Sequence, residues 1–145
     1  MPSNNFEGVS VGRHRNMVAN RSKNTKPEKQ VRSMLHRAGY RFCIHGTDLP
    51  GTPDLVFRAR QIVVEVRGCF WHGHGCHPLG LLPKSRTDYW HPKIMKTRLR
   101  DIANTERLRA LGWKVLTVWE CEVRANHEAA LRKLKRGLGP RRISR

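Results

Sequence analysis

Acidic side chains are scarce in this chain of 145 residues: 11 Asp and Glu stand against 29 Lys and Arg, a formal net charge of +18. Such an excess on a small chain is the electrostatic footprint of a polyanionic partner, with nucleic acid the first candidate. Charge alone leaves an RNA-packing protein, a mere basic tail and an enzyme acting on nucleic acid unresolved. No apolar run is long enough to cross a bilayer, so a membrane-spanning helix is excluded and a soluble protein is expected. Cysteines number only four, and no signal-peptide pattern is present. A secreted disulfide scaffold is therefore not expected, and the reading is of a reducing, cytoplasmic setting. The length suits one domain with a single core.

What the chain does have is concentrated between Gln61 and His77, QIVVEVRGCFWHGHGCH, where an apolar β run ends in a crowd of metal-type ligands. Cys69, His74 and Cys76 lie so close in sequence that they can converge on one ion with little further loss of chain entropy. A fourth ligand is needed. Cys121 follows a second β-like run, Val115 to Trp119, that can lie beside the first, so the expected set is Cys69, His74, Cys76 and Cys121. Four protein ligands close the shell, which makes a zinc ion here structural and leaves His72 and His77 unassigned. Free or disulfide-bonded thiols with surface histidines are the plainer alternative.

In chain order, residues 1–24 show no apolar periodicity and carry Arg13, Arg15, Arg21 and Lys23, which predicts a flexible basic arm. Thr25-Lys-Pro-Glu28 is a capping-box pattern, so a helix is expected there, with Val31, Met34, Leu35 and Ala38 inward and Gly39 as its stop. Glu28 is read first as a cap and only secondarily as facing an active site. Arg41 to His45 reads as a short strand with Cys43 as a small core residue. Leu55 to Phe57 and Gln61 to Val66 read as a hairpin. After a loop from Pro78 to Arg86, Asp88-Tyr-Trp-His-Pro92 leads into a long helix expected to run to about Leu111, with Pro92 in its first turn and Ile94, Ile102, Leu108 and Leu111 on one apolar face. Asp101 in mid-helix reads as a partner for the surrounding bases. A strand from Trp113 to Trp119 and a helix from Asn126 to Lys135 complete the pattern.

Asp54 stands at a strand start, and alternation puts Glu65 and Arg67 on one face of the neighbouring strand. Carboxylates from paired strands can hold a divalent cation between them. Pro53-Asp54 with Glu65-Val66-Arg67 thus resembles a PD-(D/E)xK nuclease core, a weak motif by itself.

A larger set of residues resembles the very-short-patch-repair (Vsr) mismatch endonucleases over roughly residues 13 to 124. The set comprises Asn16-Met17, Arg21 to Glu28, Leu49-Pro-Gly-Thr-Pro-Asp54, Gly68-Cys-Phe-Trp-His72, Thr87-Asp-Tyr-Trp90, Gly112-Trp113 and Val118-Trp-Glu-Cys121. The resemblance implies a restriction-endonuclease-like α/β fold, with a mixed sheet flanked by helices and a structural zinc. It also implies magnesium-dependent nicking beside a T:G mismatch in duplex DNA. On it, residues 25–136 form a single nuclease domain between the arm and a basic tail at 137–145. The protein is expected to be a monomer in the cytoplasm near the nucleoid, with mismatched double-stranded DNA and repair proteins as partners.

Carried over position by position, Asp54 corresponds to the family's magnesium-binding aspartate and Val66 to the residue whose backbone carbonyl helps hold the ion. His72 corresponds to the histidine that activates water, and Asp101 to the acid supporting it. Phe70, Trp71 and Trp90 correspond to wedge residues that enter the base stack, with Met17 of the arm as a further DNA contact. Two positions depart from the pattern. Arg67 stands where a histidine is expected and can stabilise charge but cannot exchange a proton at neutral pH. Glu65 is an acid where an apolar residue is expected, which brings this chain nearer the general nuclease core. The alternatives are a non-catalytic zinc-stabilised nucleic-acid-binding module and a related nuclease of different DNA specificity.

Overall fold

The computed structural model describes residues 24–70, 72, 74, 76 and 87–141. Met17, Trp71, His77, the 78–86 loop and nearly all of the basic arm fall outside the described residues.

Helix α1, Lys26–Arg37, starts where the capping box predicts it: the Thr25 hydroxyl accepts from the Glu28 amide at 3.4 Å, and Pro27 sits in the first turn. Val31 and Leu35 are fully buried, and Gly39 takes φ 96° to turn the chain out of the helix. Four strands follow: β1, Cys43–Ile44; β2, Leu55–Phe57; β3, Ile62–Arg67; and β4, Lys114–Trp119, arranged in one sheet in the order β1-β2-β3-β4. β1, β2 and β3 pair antiparallel, while β3 and β4 pair parallel with Glu65 opposite Thr117 and Arg67 opposite Trp119. A parallel pair needs a crossover, and helix α2, Thr87–Ala110, lies on that connection. Two shorter helices, α3, Glu120–Ala125, and α4, His127–Leu138, complete the chain.

The run IVVEVR explains why β3 is central, because β-branched residues fit a pleated surface covered on both sides. Val64 and Val66 point to the face where α1, α3 and α4 contribute Leu35, Val123 and Leu134. Val63 points to the other face, beneath Leu108 of α2. Glu65 and Arg67 share the parity of Val63, so strand alternation directs them toward the α2 side.

Several expectations are corrected. Cys43 is exposed rather than in the core, because β1 is a two-residue strand at the sheet edge with both residues open to solvent. Pro92 lies six residues into α2 rather than in its first turn. Ile102 and Leu111 are 55% and 60% exposed, so they do not join Ile94 and Leu108 on a buried face. At about 100° per residue, Trp90, Ile94, Thr97, Asp101, Asn104 and Leu108 form the inward stripe instead, spanning roughly 80°. Its middle is polar, which hides it from a reading by hydrophobicity. Helix α3 has no counterpart in the sequence pattern, and α4 runs past Lys135 to bury Leu138 within the segment expected to be tail. That end is anchored: the Tyr40 hydroxyl donates to the Gly139 carbonyl, and Arg60 donates to the carbonyls of Leu138 and Pro140. Among the described residues no helix is long and apolar enough to cross a membrane.

This packing predicts that Leu134→Ala lowers the unfolding free energy by about 2–5 kcal/mol, whereas Leu99→Ala on the exposed side of α2 changes it by less than about 0.5 kcal/mol. Urea denaturation of both variants measures the difference.

Candidate active site and metal centre

A cleft of about 520 Å³ opens between the N-terminus of α1, the start of β2, the end of β3 and the polar middle of α2. Asp54 precedes β2 and accepts a 2.7 Å hydrogen bond from the Val66 amide on its Oδ2. Glu28 reaches the same point from α1 and is only 5% exposed. The two carboxyl groups lie within hydrogen-bonding reach of each other. Burial, reinforced by the charges of Glu28 and Glu65, pushes Asp54 up from 3.8 to about 7, against the lowering effect of the Val66 amide. Like charges held this close call for a shared proton or a cation. Glu28, read first as a helix cap, is therefore both: its carboxylate takes the Asn24 amide at 3.0 Å and lines the cleft.

Glu65 and Arg67 meet each other on the same cleft wall, with Arg67 Nη2 donating to Glu65 Oε2. The guanidinium lies 5.8 Å from the centre of the Trp119 ring. Opposite them, His72 Nδ1 is 2.5 Å from Asp101 Oδ2, an ion-pair geometry that brings together two residues 29 apart in sequence. With Nδ1 committed to Asp101, Nε2 is the ring nitrogen free to accept a proton. Lys93, Lys96 and Arg100 from α2 add positive charge to the rim. Val66 enters through its amide, whereas the resemblance assigns its carbonyl.

Beside the cleft, Cys69, His74, Cys76 and Cys121 bring their ligand atoms within 4.8 Å of one another. An ion bound tetrahedrally at ~2.0–2.3 Å wants its donors roughly 3.3–3.8 Å apart, so the four fit a metal with small adjustment. Cys121 Sγ is 3.4 Å from His74 Nδ1, and the Cys121 amide donates to Cys69 Sγ at 3.3 Å. His74 is stacked on Trp119 with ring centres 4.0 Å apart. Burial, with neighbouring thiols adding to it, raises both Cys69 and Cys121 above the ordinary thiol range, so it takes a bound cation to make this cluster a set of thiolates. Cys43 stands apart from it.

Of the expected wedge residues, Trp90 is 1% exposed and packs edge-on against Phe70 and Tyr89, so it does not project as a free wedge. Reaching a base stack would require that small aromatic cluster to open. Phe70 is half-buried in it. Arg32 and His45, which contact Glu28, carry no sequence signal, because neither belongs to a recognisable spacing.

Comparison with known proteins agrees with this geometry. A family model described as DNA mismatch endonuclease Vsr matches residues 10–78. The type II nicking enzyme V.XorIIP of Xanthomonas oryzae pv. oryzae is 61% identical over 103 residues, covering 71% of this chain and 75% of that protein. The type II nicking enzyme V.NmeAIP of Neisseria meningitidis is 44% identical over 108 residues, 74% of this chain and 76% of that protein. The DNA mismatch endonuclease Vsr of Escherichia coli is 40% identical over 116 residues, 80% of this chain and 74% of that protein. An α/β sheet with a carboxylate cleft and an adjoining Cys/His cluster, in a chain with such relatives, is a DNA endonuclease. The chain belongs to the Vsr family of DNA mismatch endonucleases.

The raised Asp54 value has a direct consequence for stability. Its folded value of about 7 lies above the ordinary 3.8, so its stabilising contribution is complete below 3.8 and is lost as pH rises through about 7. Asn at this position keeps an oxygen for the Val66 amide and removes the repulsion. Without divalent cations, Asp54→Asn should therefore exceed the parent in stability by on the order of a few kcal/mol near pH ~8. The gap should shrink toward pH ~5. Thermal unfolding of both proteins in chelator across this range checks the sign.

Proposed function

We propose that this protein nicks one strand of duplex DNA beside a T:G mismatch through a PD-(D/E)xK-type site that takes magnesium, with zinc in the Cys/His cluster. The observation that carries the reading is the convergence of the buried Glu28 carboxyl group and the partly buried Asp54 carboxyl group in a cleft walled by His72–Asp101 on one side and Arg67 on the other. Bound there, magnesium would supply Lewis acidity to the scissile phosphate and hold water in line for attack. The residues divide the remaining work. Glu28 and Asp54 would hold the ion, with the Val66 carbonyl as the backbone ligand that the resemblance suggests. His72 Nε2 would take the proton from the attacking water, while Asp101 steadies the ring and balances the imidazolium that forms. Arg67 would neutralise charge building on the phosphate or the leaving oxygen, and Glu65 orients Arg67 for that purpose.

The net charge of +18 supports duplex DNA as the substrate, and a steep loss of binding with salt is expected. The relatives named as nicking enzymes and as a DNA mismatch endonuclease support single-strand cleavage beside a mismatch. A non-catalytic module is disfavoured, since it would have no use for two repelling carboxyl groups drawn largely out of water. Zinc is favoured over other divalent ions by three thiolates with an imidazole in a closed four-ligand set. Met17, Phe70, Trp71 and Trp90 remain the residues proposed to touch DNA, the last only after its cluster opens.

Strand-labelled duplexes bearing each mismatch, incubated with magnesium, should yield one nick in the T:G duplex and none with chelator. Asp54→Ala should abolish nicking while retaining binding, and His72→Ala should slow single-turnover cleavage by about a hundredfold or more. Arg67→Ala should lose most activity and Arg67→Lys keep part. Full-rate cleavage by Asp54→Ala removes the assignment. Elemental analysis should return one zinc per chain, and Cys121→Ser should lose it together with much of the thermal stability, since metal binding is coupled to folding.

A further inference from the structure

We propose that Arg32 and His45 are positioning residues that clamp the Glu28 carboxylate, so that one of its oxygens is reserved for the divalent cation shared with Asp54. The proposal rests on the cation site described above. Three nitrogens converge on a single oxygen, Glu28 Oε2: the Asn24 amide and Arg32 Nη2 each donate at 3.0 Å, and His45 Nε2 lies at 3.5 Å, a donor in the tautomer that carries its proton there. Occupying one oxygen this fully stops the carboxyl group from rotating and leaves Oε1 to face a proton or a cation. Arg32 Nη2 is itself fixed by Asn24 Oδ1 at 2.8 Å and lies 3.2 Å from His45 Nε2.

His45 ties the clamp to the backbone of the other acidic residue as well. Its backbone amide donates to the Asp54 carbonyl at 3.0 Å, so one residue touches Glu28 through its ring and Asp54 through its main chain. It does so with φ 50°, a left-handed conformation rare for a residue with a side chain. Arg32 carries a similar cost: its Nε–H is buried with no hydrogen-bond partner among the described residues. Strain and an unpaired donor beside a site are what a fold retains when orientation matters more than stability.

Two physical effects of Arg32 on the cation have opposite signs, which makes the proposal testable. As a positive charge near a cation site, Arg32 weakens binding, so its removal would tighten it. As the clamp, it presents Glu28 correctly, so its removal loosens binding. The clamp predicts that orientation dominates, because an unheld Glu28 is repelled by Asp54 and turns away.

The test is calorimetric titration of manganese into the zinc-loaded, full-length protein, with thermal unfolding in chelator as a check on folding. Glu28→Gln serves as the reference, and should weaken manganese binding strongly. Arg32→Met, which keeps the aliphatic stem, should weaken it by about tenfold or more, and Arg32→Lys should recover part of the loss. His45→Asn, chosen because Asn tolerates the left-handed backbone, should also weaken it. Combined with Arg32→Met it should add little, since both act on one oxygen. Unchanged or tighter binding by Arg32→Met, with Glu28→Gln weakened, overturns the clamp and leaves the cation site standing. Unchanged binding by Glu28→Gln overturns both. Should Arg32→Met fail to fold, Arg32→Lys and His45→Asn decide between the same two outcomes: weakened manganese binding supports the clamp, and unchanged or tighter binding overturns it.

Discussion

The parallel pairing of β3 and β4 is the constraint on which the remaining structure depends. Parallel neighbours leave the sheet at the same edge, so the residues following Arg67 and those following Trp119 emerge side by side. Each exit carries a cysteine, Cys69 on one and Cys121 on the other, and the segment between adds His74 and Cys76. The cluster holds the two exits together. His72 sits between two of those ligands, so whatever holds the cluster also holds the histidine that meets Asp101. With so few apolar residues between these ligands, a metal held by the four side chains would take the place of a core.

The cleft beneath is a place where stability has been set aside. Buried Glu28 and partly buried Asp54 are held close together although each would be better solvated apart, and Asp54 responds by holding its proton to about pH 7. The inward stripe of α2 gives up apolar contacts at Thr97, Asp101 and Asn104 where it crosses the cleft, and resumes them at Leu108. Both departures from good packing occur at one point, as expected of a site built to receive a charged ligand rather than to add to the core.

Features governed by short-range chemistry are legible in the residues themselves. The Thr25 cap, the β-branched run of β3 and the spacing of Cys69, His74 and Cys76 each express a local rule, and Cys121 follows from the expectation that two β runs lie adjacent. The resemblance then carries His72 to Asp101, a contact that no local pattern indicates. What is not legible depends on tertiary context. Ile102 and Leu111 look inward-facing only if the apolar residues of α2 mark its buried face, whereas polar site residues occupy that face. Residue type alone places Cys43 in the core, but its strand is too short and too near the edge to be covered. Glu28 satisfies a capping rule so well that its second role stays subordinate until the position of Asp54 is known. Arg32 and His45 have no signal beyond being polar, since their meaning lies entirely in which oxygen they touch.

In the proposed function two ions would divide the labour: one in the Cys/His cluster would build the loop, and another between Glu28 and Asp54 would supply the chemistry. Anomalous diffraction from crystals soaked in manganese, recorded on both sides of the zinc edge and at a wavelength sensitive to manganese, tests it most directly. Two separate peaks are predicted, zinc among Cys69, His74, Cys76 and Cys121, and manganese between the carboxyl groups of Glu28 and Asp54. An empty Cys/His cluster, or manganese bound away from both carboxyl groups, would contradict it.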